Sequence, residues 1–214
     1  MYKSKIIPIF QLERVLFPKM ILPMHIFETH YKRMIADCIN NNAQFGIITD
    51  SGFSSDLVGT TASVYRVVKK YDDGRYDILA LGEDRFLLRN MLTDVPFPMG
   101  EVEFIDDLPG EIISKENISD LLNRFWRFIS QLGLKKELRS HLESVVSQLE
   151  VEREISYIIG QTIGLDNSRQ RKLLGEVSGE DRVFRLTTEL KQLKSINRLA
   201  RDMFENDNFD PNNN

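Results

Sequence analysis

The first half of the chain alternates apolar and polar positions in the way that β-strands do. Residues 6–10 and 15–18 are short apolar runs interrupted by prolines, and proline confines such runs to strand ends, sheet edges or turns. Residues 45–49 form a compact, mostly apolar strand, and residues 101–105 place apolar and acidic side chains on opposite faces. The pattern predicts a β-rich region from residue 6 to about residue 108.

The clearest local signal is a β-hairpin. Residues 58–71 are rich in valine, threonine and tyrosine, an Asp72-Asp73-Gly74 turn follows, and residues 76–81 form a second β-prone run. Another strand is predicted at residues 85–88. Because these strands follow one another at hairpin spacing, the sheet is predicted to be mainly antiparallel. It is also predicted to curl into a partly closed barrel, which limits exposed edges.

One helix interrupts the predicted strands. Phe27, Tyr31, Met34, Ile35 and Cys38 recur at helical spacing and form a single apolar stripe. The three asparagines that follow predict the end of this helix.

The second half of the chain has helical periodicity. Pro109-Gly110 marks the junction, and glycines stand where helices are expected to end. The predicted domains are a β-rich lobe (1–109), a helical lobe (110–205) and a disordered tail (206–214). Helices are predicted at 115–132, 135–149, 151–164, 168–176 and 180–205.

The last predicted helix carries an apolar seam with alternating spacings of three and four residues. The seam includes Leu186, Leu190 and Leu193, with the polar Asn197 inside it. Either the helix packs on the chain's own bundle, or it forms a coiled-coil contact between chains in which Asn197 fixes the register. The chain is accordingly expected to be a monomer or a weak homodimer.

Composition narrows the classes of protein. The 214 residues carry a formal net charge of −4, whereas nucleic-acid binders usually show a basic surplus. No run reaches the roughly 18 apolar residues that would span a membrane. The N-terminus lacks the pattern of a signal peptide, and the single cysteine, Cys38, fits a reducing compartment. These features predict a cytoplasmic protein.

The search for chemistry finds no catalytic, cofactor or metal site. Neither a P-loop nor a Gly-x-Ser-x-Gly nucleophile elbow occurs. His25, Glu28 and His30 nearly spell a zinc-helix motif, but histidines five residues apart would diverge by about 140° on a helix. Instead, His25 and Glu28 are expected to satisfy backbone groups at the start of the helix.

The opening of the chain resembles the N-terminal domain of Lon proteases. That family begins with a pattern close to IPIF (7–10), VLFPKMILPMHIFE (15–28) and YKRM (31–34). The family usually has glycine where Lys19 stands, so the turn after Pro18 is expected to differ. The signature residues that the resemblance supplies, interpreted as structural, are Pro18, Pro23, His25, Phe27, Glu28, Tyr31, Gly82, Arg85 and Phe86.

The resemblance implies an α+β fold in which a PUA-like β-rich lobe is followed by a helical bundle that ends in a long helix. It also implies recognition of unfolded or tagged polypeptides. The ATPase and protease modules of full Lon do not follow in this sequence, which runs into an Asn-rich tail after Phe204. We therefore expect a free-standing, non-catalytic protein.

The leading functional hypothesis is a protein-interaction module that binds a polypeptide substrate or a protease partner. The binding route would be strand addition to an uncovered sheet edge, or an apolar groove between the lobes. Four apolar residues in loops are candidate contacts, although such residues also plug barrel ends: Phe53, Leu57, Phe97 and Met99. The alternatives are an RNA-binding PUA-like protein, disfavoured by the acidic charge, and a hydrolase using dispersed carboxylates.

Overall fold

The computed structural model describes residues 4–49, 57–92, 95–132, 140, 144 and 152–206, and of residues 152 and 194–206 it describes the backbone only. Three predictions fall largely or wholly outside these residues: the helix at 135–149, the tail after Asn206 and the candidate contact Phe53.

The β-region is a single six-stranded sheet in the order β2-β5-β4-β3-β1-β6. All strand pairs are antiparallel except the parallel pair β1–β3. The long strand β5 also pairs with β6, so the mixed sheet curls back on itself rather than forming a regular closed barrel. The mainly antiparallel α+β fold is confirmed. The strands are β1 (Ser4–Leu12), β2 (Ile21–Ile26), β3 (Phe45–Thr49), β4 (Leu57–Lys70), β5 (Tyr76–Leu92) and β6 (Met99–Ile105).

The helices of the described residues begin and end close to their predicted bounds. Ser114 and Asp166 cap two of them by accepting hydrogen bonds from the backbone N–H groups of Asn117 and Arg169. None of the described helices is long and apolar enough to cross a membrane. They are α1 (Thr29–Asn41), α2 (Lys115–Gln131), α3 (Glu152–Thr162), α4 (Asn167–Gly175) and α5 (Gly179–Asn206).

Two compact units divide the chain. Unit 1 comprises Met1–Pro109 and Gly160–Ser178, and unit 2 comprises Gly110–Ile159 and Gly179–Asn214. The sequence predicted that the chain passes from the first domain to the second once, near Pro109. The chain crosses again because residues 160–178 return to the unit that contains the sheet.

The core of unit 1 lies on both faces of the sheet. Neighbouring residues of β1 belong to different clusters, since Phe10 packs with helix α1 and Ile9 packs with Phe86. Tyr31 of α1 stacks on Phe10 with ring centroids 3.9 Å apart. The Phe86 ring fills the space beside Gly46, where a Cβ atom would lie only 2.7 Å from it.

Helix α1 buries most of the stripe that the sequence predicted. Tyr31, Met34, Ile35 and Cys38 are buried, and burial raises the pKa of the Cys38 thiol to about 11. Phe27 does not belong to this stripe, which corrects the prediction. Phe27 precedes the helix, and its side chain is 59% exposed. The alternation of inward and outward side chains along β2 continues through this position and turns Phe27 outward.

In unit 2, helix α5 packs against α2. Leu186 and Leu190 of the seam are buried, and Leu193 is half-buried. The described part of the seam is thus used within the chain's own bundle, and the side chain of Asn197 lies outside the described residues. A coiled-coil contact between chains stays a prediction for the part of the helix beyond Leu193.

The turn after Pro18 keeps a glycine-like backbone although Lys19 replaces glycine. Lys19 has a φ of 65°, and the N–H of Met20 donates to the Phe17 carbonyl at 3.2 Å. Proline followed by a residue with positive φ is typical of a type II turn. Lys19 also donates its N–H to Gly82 at 2.8 Å. Backbone hydrogen bonds on both sides of Lys19 hold this conformation, and the difference from the family's turn stays a prediction.

We predict that Lys19→Gly stabilises the protein. Removing the Cβ relieves a left-handed conformation that costs about 1–2 kcal/mol, and the greater freedom of glycine in the unfolded chain offsets about 0.4–1 kcal/mol of this. The net gain in the free energy of unfolding should be about 0.5–1 kcal/mol in urea titrations. Lys19→Ala is the control: it removes the charge but keeps the Cβ and should give no gain. An equal gain from both variants would contradict the explanation.

Candidate functional site

The signature residues divide into a buried and an exposed set. Pro18, Tyr31, Gly82, Arg85 and Phe86 are buried. A Cβ on Gly82 would lie 2.4 Å from the Phe17 carbonyl oxygen, so that position requires glycine for close packing of the turn. The buried set therefore has a structural explanation.

Arg85 ties the returning segment to the sheet within unit 1. Its Nη1 donates to the carbonyl oxygens of Leu174, at 3.0 Å, and Glu176, at 2.6 Å. Its Nη2 pairs with Asp107 at 2.5 Å, and the arginine side chain is only 3% exposed. At the other end of α4, the side-chain amide of Asn167 donates a hydrogen bond to the Glu13 carbonyl, in the connection between β1 and β2, at 2.7 Å. One guanidinium thus holds together pieces that lie far apart in sequence.

We predict that Arg85→Gln destabilises the protein by about 3 kcal/mol or more, since losing one partner of a buried, bonded ion pair leaves the other groups unmatched. The matched control is Arg89→Gln. Arg89 pairs with Glu103 but is 40% exposed, so its loss should cost less than about 1 kcal/mol. Urea unfolding measures both, and similar losses would contradict the role given to Arg85.

The exposed signature residues lie on β2 or directly after it. Side chains alternate along a strand, so Met24 and Ile26 are buried whereas Pro23 and His25 are exposed. Residues paired in antiparallel register point to the same face, which extends this outward surface to β5 and β4. We call it the outer sheet face; its residues are Ile21, Pro23 and His25 of β2, Asp77, Leu79 and Leu81 of β5, and Ser63, Arg66 and Lys69 of β4.

Apolar side chains occupy the middle of the outer sheet face. We call Ile21, Pro23, Leu79 and Leu81 the apolar strip. Ile21 is 48% exposed, Pro23 is exposed, and the two leucines are half-buried. Apolar side chains grouped on one outward sheet face make this strip a candidate contact surface for another molecule.

A hydrogen-bonded cluster closes one end of the strip. His25 Nδ1 lies 2.6 Å from one oxygen of Asp77, and the Tyr71 hydroxyl donates to the other at 2.7 Å. Because a carboxylate only accepts, Nδ1 of His25 carries the proton. Phe27 lies beside this cluster, its ring 5.9 Å from that of His25.

These bonds shift two pKa values. The His25 and Tyr71 hydrogen bonds lower the pKa of Asp77, so its contribution to stability is present at neutral pH and is lost as the pH falls through the folded-state value. The bond to Asp77 raises the pKa of Tyr71. The contribution of Tyr71 is therefore present below the ordinary tyrosine pKa and is lost as the pH rises through the raised one.

The structure corrects the predicted roles of the histidine region. His25 lies on β2 rather than at a helix start. Glu28 stands at the N-cap of α1 but makes no capping hydrogen bond with its side chain. It lies 3.6 Å from His30 instead. Two histidines that face different carboxylates do not form a shared ligand set.

We predict that Asp77→Asn lowers the pKa of Tyr71 toward its ordinary value, because the amide cannot stabilise the protonated hydroxyl as a carboxylate does. Tyrosine ring carbons, labelled with ¹³C and titrated by NMR, report this directly. Asp73→Asn is the control, since Asp73 acts on Tyr71 only through its charge and should shift the pKa less. Equal shifts would contradict the bonded arrangement.

Of the candidate contacts named from the sequence, the three that the structure describes do not lie on this face. Leu57 packs against the cluster of Phe86, and Phe97 packs against the cluster beneath α1. Met99 is half-buried at the start of β6, paired with Pro8 and Leu92. The structure does not bring Leu57, Phe97 and Met99 together as an exposed surface.

Sequence reasoning missed the outer sheet face because it did not predict β2. The prolines at 18 and 23 suggested turns. The helical spacing that starts at Phe27 placed the predicted start of α1 too early in the chain. The alternation through Leu22, Met24 and Ile26 was the available signal for a half-buried strand.

The structure is similar to solved structures of Lon N-terminal domains. The structure is similar to a Lon N-terminal domain protein from Xanthomonas campestris, with a TM-score of 0.64 and 19% identity, over 86% of this chain and 98% of that one. It is also similar to the N-terminal domain of a Mycobacterium avium complex Lon protease, with a TM-score of 0.66 and 17% identity, over 87% and 98%. The fold is that of a Lon N-terminal domain.

A sequence profile of the ATP-dependent protease La (LON) substrate-binding domain matches residues 6–192. The chain belongs to this family. Its relatives include the Lon protease of Cytophaga hutchinsonii, 22% identical over 75% of this chain and 20% of the relative. The peroxisomal Lon protease homolog 2 of Mus musculus is 27% identical over 67% of this chain and 18% of its own length. The chain thus matches about a fifth of these relatives, and the match is to the substrate-binding domain alone.

Proposed function

We propose that the chain is a non-catalytic module that binds unfolded polypeptide segments on the outer sheet face. The observation that carries the proposal is the exposed apolar strip. An unfolded segment exposes apolar side chains to water, and covering them together with Ile21 and the half-buried leucines removes apolar surface from water on both partners. Membership of a substrate-binding family supports the same occupant.

Recognition by the face is favoured over strand addition, because the uncovered edges are protected. At β2, the N–H of Gly82 donates to the Met20 carbonyl at 2.9 Å. Since the direction of these groups alternates along a strand, the nitrogen of Pro23 points away from β5. Proline has no N–H, so the free edge of β2 lacks a donor at its centre.

The other open edges carry similar devices. The N–H of Ile9 donates to Pro98 at 2.9 Å, so the nitrogen of Pro8 points away from β6 where the pairing of β1 with β3 ends. Strand β4 continues beyond its pairing with β3 and has register shifts between Val64 and Arg66 and again after Val67. Bulges and prolines at edges discourage an incoming strand.

The proposal assigns no catalytic role to the chain. The sequence has no P-loop and no nucleophile elbow. The partner would be a polypeptide substrate, or the protease that degrades it. A cytoplasmic location stays a prediction.

Titration of a fluorescently labelled, permanently unfolded polypeptide, such as reduced and alkylated α-lactalbumin, tests the proposal. Ile21→Ser and Phe27→Ser should each weaken binding about fivefold, because each loses about 1 kcal/mol of apolar burial. Phe184→Ser is the matched control: Phe184 is 71% exposed but lies on α5 in unit 2, and its loss should leave binding unchanged. No binding by the unaltered chain, or equal losses in all three variants, would overturn the proposal.

A further inference from the structure

A row of cations borders the apolar strip on the β4 side. Arg66 is paired in register with Leu79, and Lys69 with Asp77, so both cations share the outer sheet face. Both are exposed. Resting on the proposed function, we infer that this row makes the outer sheet face select polypeptide segments that carry acidic residues beside apolar ones.

The row places two cations, Arg66 and Lys69, against the single carboxylate of the outer sheet face, Asp77, whose charge acts on Lys69. Among the described residues, neither Arg66 nor Lys69 forms an ion pair. The carboxylate in register with Lys69 is that of Asp77, which is bonded to His25 and Tyr71. The Lys69 ammonium lies over the Tyr71 ring, 4.4 Å from its centroid, and an exposed ring contact leaves it open to an anion.

The spacing of the face sets where the acidic residue should lie. Neighbouring strands are about 4.8 Å apart, and alternate residues of an extended segment about 6.6 Å apart. Arg66 stands one strand away from Leu79. An acidic residue two positions from an apolar anchor therefore reaches the row while the anchor covers the strip.

The net charge of the chain predicts the opposite preference, so an experiment can distinguish the inference from a simple net-charge effect. With a formal net charge of −4, the chain as a whole should favour basic ligands through long-range attraction. A preference for acidic segments can then come only from a local arrangement of charge.

The test compares two short disordered peptides with the same apolar residues, flanked by glutamate in one and by lysine in the other. Fluorescence anisotropy with the full chain should show that the glutamate peptide binds about three- to tenfold tighter, with the difference shrinking as salt is added. The double variant Arg66→Glu with Lys69→Glu should reverse the preference. Arg127→Glu, an exposed charge reversal on α2, should preserve it.

The outcomes separate the two proposals. Equal binding of both peptides, together with the loss of binding in Ile21→Ser, would overturn the acidic preference and leave the proposed function standing. Absence of binding by either peptide and by the unfolded polypeptide would overturn both. A preference that Arg127→Glu changes as much as the double variant does would assign it to net charge and overturn the inference. Displacement of the glutamate peptide by single-stranded RNA at physiological salt would identify the row as a phosphate site and would also overturn it.

Discussion

One buried arginine joins parts of unit 1 that the chain order keeps apart. Arg85 stands where β5 changes its pairing from β2 to β6, and its guanidinium donates to two carbonyl oxygens at the C-terminal end of α4 and to one carboxylate after β6. A buried cation is tolerated only when its donors are matched in this way. The position of α4 beside the sheet, and the path of the chain back into unit 1, depend on that match.

The family signature combines two kinds of constraint in a few residues. Gly82 and Pro18 shape the turn that starts β2, and Tyr31 packs α1 on the sheet. The backbone bonds of Lys19 and Met20 with Gly82 fix the register of β2 on β5, and the register decides which side chains face outward. The apolar strip is therefore a consequence of the same packing that stabilises the core: a shift of one residue would turn Met24 outward and Pro23 inward.

Local patterns predicted the parts of the fold that depend on neighbouring residues. The β4–β5 hairpin was evident from its Asp-Gly turn, and α2 and α4 from their periodicity and caps. The parallel pairing of β1 with β3 was not evident, because it joins strands separated by a helix and leaves no turn signal. The return of residues 160–178 depends on Arg85, whose partners lie about 90 residues away. The outer sheet face depends on the register of β2 on β5, which sequence alternation alone does not give.

The division of unit 1 into two stretches of sequence affects how the protein can be dissected. A fragment that ends at Pro109 would contain every strand of the sheet but none of the carbonyl groups that receive the Arg85 guanidinium from residues 174–176. Residues 110–159 behave in this respect as an insertion within one folding unit. A truncation at the boundary between the strands and the helices would therefore remove part of unit 1. A fragment of unit 1 would have to join Pro109 to Gly160 through a new linker.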